Sequence, residues 1–460
     1  MLDPVRAVVS GGTVVTMDAR RTVIDDGAIA IVDGAILHVG SRAEVAALTD
    51  GWMTVDAGGG LITPGLINTH THLFQTLLKG LGDDRSLNKW LLEMTAPAAA
   101  QLTSADCEAA AMHGAIEAIR SGCTTIVEFM YVHPHSGMTD AVVSGLDRVG
   151  VRAIVARGFM TRGVELGVPA VLMETAEDAI ADCARLSAGR PVDSRITIGI
   201  APTLLWMVSE EDLRTTRAFA TQSGALITYH LSETDFEVAY ANEHYRMSES
   251  TLLERTGLLG PDLLAVHCTK VSPDDIRLLA DYDVKVSYNP TSNMYLAAGV
   301  APIPAIRSAG ITVGIASDGP ASNNNQNMIH VLKAAALLQK VAVQDPTALT
   351  AADVLEMATI GGARSIGMAD QIGSLEPGKR ADLAIFRFAN PFVTPVHDPV
   401  SALVYAASGS EATTVIIDGR LVMNDGEITT VDEDAVMRSS AAAAHGLAAR
   451  AGLRPGWAGR

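Results

Sequence analysis

Eight short apolar runs, separated by stretches with a helical repeat, occupy residues 61–375 and limit what this chain can fold into. The runs are GLINTH, TTIVEFM, RAIVARG, ITIGIAP, ALITYHL, LLAVHC, VKVSYNP and ITVGIASDG. Helical patterns such as SADCEAAAMHGAIEAIRSG and SPDDIRLLADYD lie between them, the second opening on Ser272 as N-cap. Apolar β-branched runs that alternate with helices describe parallel strands covered on both faces. Eight such units make an α/β (β/α)8 TIM barrel the expected fold. A doubly wound open sheet competes, but no glycine-rich dinucleotide fingerprint follows the first run.

The two chain ends have a different texture. AVVSGGTVVTM and GAIAIVDGAILHVG near the start match ADLAIFRF and TTVIIDGRLVMNDGEI near the end. "VDG" between β-branched stretches signals a hairpin. The expected organisation is a small β-sandwich domain from residues 1–59 and 376–430, a metal-dependent barrel over 60–375, and a helical tail over 431–460 that ends in Pro and Gly. The chain has 460 residues, enough for a barrel of about 250 residues and an accessory domain.

Asp and Glu outnumber Lys and Arg by 52 to 34, a net charge of −18. Nucleic acid and anionic membranes are therefore excluded as expected partners. A small-molecule substrate is expected instead. Cys107, Cys123, Cys183 and Cys268 are widely spaced and form no CxxC pair, against a disulfide framework or structural zinc site. The first residues carry no apolar signal core and no run is long enough to span a membrane, so a cytoplasmic location is expected.

The chemistry lies where apolar runs end. PGLINTHTH closes on His70 and His72. In a strand, an H-x-H projects both imidazoles to one side, which supplies half of a zinc or iron site. His230 ends ALITYHL with Glu233 three residues on, His267 ends LLAVHC, and Asp318 ends ITVGIASDG. Barrel enzymes place their sites at such C-terminal strand ends. Packing does not account for four buried polar ends, since unpartnered polar groups are costly to bury. Candidate pocket residues beside these ends are Gln75, Trp90, Phe129, Tyr131, Arg157, Thr203, Trp206 and Tyr229, with Leu204, Leu205 and Met207 lending an apolar character. The remaining histidines (His38, His113, His133, His135, His244, His330, His397 and His445) read as structural or surface groups.

The strings GLINTHTH, HLSET, AVHC, NPTSNMYLAAGVAPIP, SDGPASNNNQNM and GSLEPGKRADLAIF run nearly the length of the chain. In them the chain resembles the amidohydrolase superfamily, in its mononuclear branch with cytosine deaminase and the s-triazine hydrolases (atrazine chlorohydrolase, melamine deaminase). The resemblance implies that His70, His72, His230 and Asp318 ligate one divalent metal, zinc first, with iron or cobalt as alternatives. It implies that His267 orients or helps deprotonate the activated water, that Glu233 carries a proton to the leaving group, and that Asp318 assists. RITIGIAPT contains no lysine, so the carboxylated lysine of two-metal members has no counterpart there. The resemblance also implies a homo-oligomer, dimer or tetramer.

Three readings of function stay open. The first is hydrolysis of an s-triazine or related nitrogen heterocycle of xenobiotic type, including herbicides, releasing amine, ammonia or halide. The second is cleavage of an acyclic phenylurea, carbamate or thiocarbamate, as molinate hydrolases do. The third is a binding protein on an inherited barrel. A nucleoside is disfavoured: the related nucleoside deaminases carry a glutamate where this chain has Ala98 and Ala99, and a histidine where it has Thr203. Gly319-Pro320 after Asp318 also departs from the more polar residues of triazine hydrolases.

Overall fold

The computed structural model describes residues 6–191 and 193–454. The expected Pro/Gly terminus of the tail and the first five residues lie outside the described residues. The eight apolar runs form eight parallel strands: β1 (Leu66–Thr71), β2 (Cys123–Met130), β3 (Arg152–Phe159), β4 (Ile196–Pro202), β5 (Ile227–Leu231), β6 (Leu263–His267), β7 (Lys285–Tyr288) and β8 (Val313–Ile315). Each pairs with its neighbour in sequence, and helices intervene, as a (β/α)8 barrel requires. Between β8 and β1 the ring closes through a side-chain bridge. Asn68 accepts from the Ser317 amide (3.0 Å) and donates to the Ser317 hydroxyl (2.7 Å), while the Asp318 amide donates to the His70 carbonyl (3.1 Å).

Local sequence explains the helices. Ser272 caps Pro273–Asp281 as expected, its hydroxyl accepting from the Asp275 amide while Asp275 reaches back. The same reciprocal box starts Ser104–Arg120 at Thr103 and Glu210–Ser223 at Ser209, each satisfying amide groups that a helix start leaves free.

The chain ends build one nine-stranded sheet. Its seam pairs Leu61–Pro64 antiparallel with Leu383–Phe386, joining the two ends of the chain. Three hairpins in it turn on Asp-Gly: Asp33-Gly34, Asp418-Gly419 and Asp425-Gly426, all six residues at positive φ. That backbone is what a two-residue hairpin matched to strand twist demands. The C-terminal helix Glu433–Arg450 lies on Ser104–Arg120, with Arg120 forking onto Glu433 (2.6 Å twice) and Arg450 reaching Asp106 (2.5 Å). All four cysteines are free and buried. No helix among the described residues is long and apolar enough to cross a membrane.

Barrel and sheet are tied by an ion pair. Arg152, at the base of β3 and 1% exposed, forks onto Asp382 (2.6 and 3.0 Å) at the start of the strand Leu383–Phe386. Removing one member leaves the other charged and dry. Arg152→Ala is expected to cost about 3–5 kcal/mol, read by equilibrium urea unfolding. Arg152→Met with Asp382→Leu is expected to recover most of that loss, because no buried charge is then left alone.

Candidate metal centre

The strand ends bring the sequence candidates to one point at the C-terminal mouth of the barrel. His70 sits in β1 and His72 directly after it. Their rings lie 4.6 Å apart, centre to centre, and nearly perpendicular. His230 comes from β5 and stacks on Phe129 of β2 at 4.5 Å. His267 ends β6, and Asp318 follows β8 by three residues. His70, His72 and His230 form one group able to hold an ion, and His70, His267 and Asp318 a second that shares His70.

Backbone carbonyls decide what the imidazoles present. Nδ1 of His72 lies 2.7 Å from the Phe129 carbonyl, and Nδ1 of His230 lies 2.8 Å from the Thr203 carbonyl. A carbonyl only accepts, so each Nδ1 carries the proton and each Nε2 presents a lone pair. Those two Nε2 atoms face one another at 3.3 Å. Asp318 Oδ1 stands 3.5 Å from His72 Nε2 and 3.4 Å from His70 Nε2. His70 is fully buried and neither of its ring nitrogens has a hydrogen-bond partner. Acceptors converging without donors repel unless a cation sits among them. Three imidazoles and a carboxylate are donors that suit a divalent transition metal.

Burial and neighbouring charge agree with that reading. Burial pushes His72 and His267 down to about 3 and His230 well below its ordinary range, so all three rings are neutral and able to ligate or to donate one proton. Burial alone would raise Asp318, but its contact with His70 and the fields of the histidines hold its carboxyl well below the usual range. Its second oxygen accepts from Ser292 (2.5 Å) and Ser322 (3.1 Å). Glu233 moves the other way: burial, then repulsion from Asp318 and Glu237, raises it well above the carboxylate range. Its Oε2 is 3.4 Å from His267 Nε2, and its Oε1 has no partner.

A narrow cavity opens over this cluster. Leu87, Trp90, Leu91, Leu204, Met207 and Leu296 give it an apolar lining, with Tyr131, Thr203 and Glu233 among the polar side chains on it. Of the sequence candidates, Trp90 and Thr203 line it. Gln75 stands behind, its amide on the Tyr131 hydroxyl (3.2 Å). Phe129 is the platform under His230, and Tyr229 is tied to Glu249 (2.7 Å). Trp206 packs edge-on against Phe236 (6.0 Å) away from the cavity wall. Arg157 is not brought to the cluster: Met130 is its partner in β2, so strand alternation turns it to the side opposite Phe129. There it pairs with Glu174 and Asp182 and lines a separate polar cleft with His133. Ser292, Ser322, Asn289 and Asn293 were not singled out from sequence, although the strings NPTSN and SDGPASNN contain them.

The profile of the amidohydrolase family matches residues 61–422. A 5'-deoxyadenosine deaminase of Methanothermobacter thermautotrophicus is 38% identical over 418 residues, 91% of this chain and 94% of the relative. Among solved structures, an adenosine deaminase from Xanthomonas campestris with bound zinc superposes with a TM-score of 0.91 at 30% identity, over 98% of this chain and all of the other. An atrazine chlorohydrolase from Arthrobacter aurescens complexed with zinc gives 0.90 at 24% identity, over 95% of this chain and 100% of the other. At that identity the likeness is one of fold, so the expectation of a xenobiotic or herbicide substrate gains nothing from it.

His70→Ala removes a buried imidazole whose two nitrogens both lack a partner. It is expected to lower metal per chain by more than about tenfold, measured by elemental analysis after gel filtration, while thermal unfolding stays cooperative. Full metal retention would show that His70 is not a ligand.

Proposed function

The chain belongs to the amidohydrolase family, and from that premise we propose that it is a hydrolytic deaminase, releasing ammonia from an exocyclic amino group on a nitrogen-containing aromatic ring with apolar substituents. The observation that carries this reading is Glu233. It is a buried carboxyl with an unpartnered oxygen, on the wall of a largely apolar cavity and beside the imidazole cluster. A departing amine needs a proton, and a buried neutral carboxyl at that place can deliver it. The resemblance of the chain to named deaminases supports the same bond class.

His70, His72, His230 and Asp318 would hold one divalent ion, with zinc the first candidate. When bound, such an ion supplies a nucleophile at neutral pH by lowering the pKa of water from about 16 to about 7. Asp318, held ionised, is placed to take the proton released from the attacking water. Glu233 gives its proton to the nitrogen that leaves. His267 orients the reacting oxygen. The apolar wall excludes bulk water, which strengthens each of these polar contacts.

A second reading is deamination of an adenine nucleoside, favoured by the name of the Methanothermobacter relative. Ala98 and Ala99 are fully buried, and the Thr203 hydroxyl already donates to the Phe159 carbonyl (2.6 Å). Neither alanine nor the committed Thr203 hydroxyl offers a ribose diol a donor at these positions, which is why a substrate without the sugar is preferred.

The test is ammonia release by the zinc-loaded chain from 5'-deoxyadenosine, adenine and alkyl-substituted aminotriazines, with mass spectrometry of phenylurea and thiocarbamate reactions alongside. Turnover of ring amines that lack ribose is expected. Turnover of the nucleoside alone would favour the second reading, and an amine or thiol released only from the acyclic compounds would overturn both. Glu233→Gln is expected to keep its metal while kcat falls about 10²–10⁴-fold. An undiminished kcat would remove Glu233 from the proton path.

A further inference from the structure

The NPTSN string forms the short helix Pro290–Tyr295, directly behind the two groups that face the reacting space from β6 and β8. Ser292 donates to Asp318 Oδ2 (2.5 Å). The next residue, Asn293, lies with its amide nitrogen 2.9 Å from His267 Nδ1, and that of Asn289 is 3.3 Å from the same atom. Both asparagines are buried, at 1% and 0% exposure. The Asn289 amide is oriented from behind, its oxygen accepting from the Ser287 hydroxyl (3.3 Å). Its NH2 group is thereby turned to the ring.

A ring nitrogen that receives two amide donors is the one that carries the lone pair. This reverses the situation at His72 and His230, whose Nδ1 atoms face carbonyls. The same residue type is thus set in opposite tautomers at neighbouring strand ends by what stands behind each ring.

We propose that Asn293 is a positioning residue that holds His267 as a neutral imidazole with its proton on Nε2, so that His267 serves as a hydrogen-bond donor to the reacting oxygen and neither binds the metal nor acts as the base. The catalytic part rests on the hydrolytic reading above; the tautomer does not. Its Nε2 lies 3.4 Å from Glu233 Oε2, and both side chains line the cavity, so the ring donor and the carboxyl border the same space. With no free lone pair there, His267 cannot complete the ligand set. That leaves His70, His72, His230 and Asp318. The proton released by water then falls to Asp318, which Ser292 of the same turn holds in place.

The test is the long-range ¹H–¹⁵N spectrum of the full-length, zinc-loaded chain labelled at histidine, with His267 assigned by its loss in His267→Asn. The expected pattern has Nε2 protonated and Nδ1 bare. A protonated Nδ1 in the wild-type chain would overturn the proposal, and no variant is needed to see it. Asn293→Asp replaces a donor with an acceptor and is expected to move the proton to Nδ1. Metal per chain should stay unchanged and kcat fall about 10–100-fold, as for other supporting partners of metal sites, with KM changed by less than about twofold. An unmoved tautomer with unchanged kcat in Asn293→Asp would also overturn it. Should the wild-type spectrum show Nε2–H while no ring amine is deaminated, the deaminase reading fails and the assignment of Asn293 stands.

Discussion

Two hydrogen bonds from imidazole to backbone govern the centre of this molecule: His72 Nδ1 to the Phe129 carbonyl and His230 Nδ1 to the Thr203 carbonyl. They turn two rings into lone-pair donors facing one another, and that arrangement is stable only around a positive charge. The surrounding frame keeps those carbonyls still. Phe129 is the last residue but one of a strand paired on both sides, and its ring stacks on His230. Glu128, beside it, accepts the Leu73 amide (2.8 Å) and so fixes the chain just past His72, although burial pushes its carboxyl up to about 8. His267 and Asp318 both sit at positive φ, 72° and 62°. Such backbone costs about 1–3 kcal/mol per residue and persists where surrounding contacts impose it. Here those contacts are the Asn293 amide on one ring and two serine hydroxyls on the carboxylate.

Much of this was legible in the sequence because type and position coincide. A histidine or aspartate at the end of a β-branched run can face only the barrel mouth or a buried dead end, and the second is costly. That is how His70, His72, His230, His267 and Asp318 could be gathered without coordinates. The Asp33-Gly34 hairpin was legible too, since few residue pairs tolerate two positive φ angles.

What was not legible depends on register and on loops. Arg157 ends its run as the histidines do, yet a shift of one position along a strand reverses the side faced. Opposite Met130, it points to Glu174 and Asp182. Trp206 belongs to the apolar string LLWM, of which Leu204 and Met207 reach the cavity while Trp206 packs on Phe236. Helix-like spacing in a loop gives no means of sorting them. Ser292 and Asn293 could not be weighed, because their importance lies in which atom of another residue they meet. The strands expected from the two chain ends meet in one nine-stranded network; the seam between Leu61–Pro64 and Leu383–Phe386 that joins its halves pairs segments more than three hundred residues apart, which strand texture does not reveal.

The polar inventory of the cavity constrains the substrate more than its size does. Trp90 Nε1 donates to the Ala321 carbonyl (2.9 Å), the Thr203 hydroxyl to Phe159, and the Ser322 hydroxyl to Asp318; the Tyr131 hydroxyl takes the Gln75 amide. Of the side chains lining this cavity, only Glu233 keeps a buried oxygen without a partner. A ligand therefore meets polar chemistry at its reacting end and hydrocarbon elsewhere. Each hydroxyl carried into the apolar part loses water without replacement, at about 1–3 kcal/mol. A diol would forfeit twice that, a factor of about 30 to about 20,000 in affinity at about 1.4 kcal/mol per tenfold. An alkyl group placed there gains about 0.8 kcal/mol per buried methylene. On the reading proposed above, binding energy in this cavity is expected to rise with apolar substitution of the substrate and to fall with hydroxylation, whichever bond is broken.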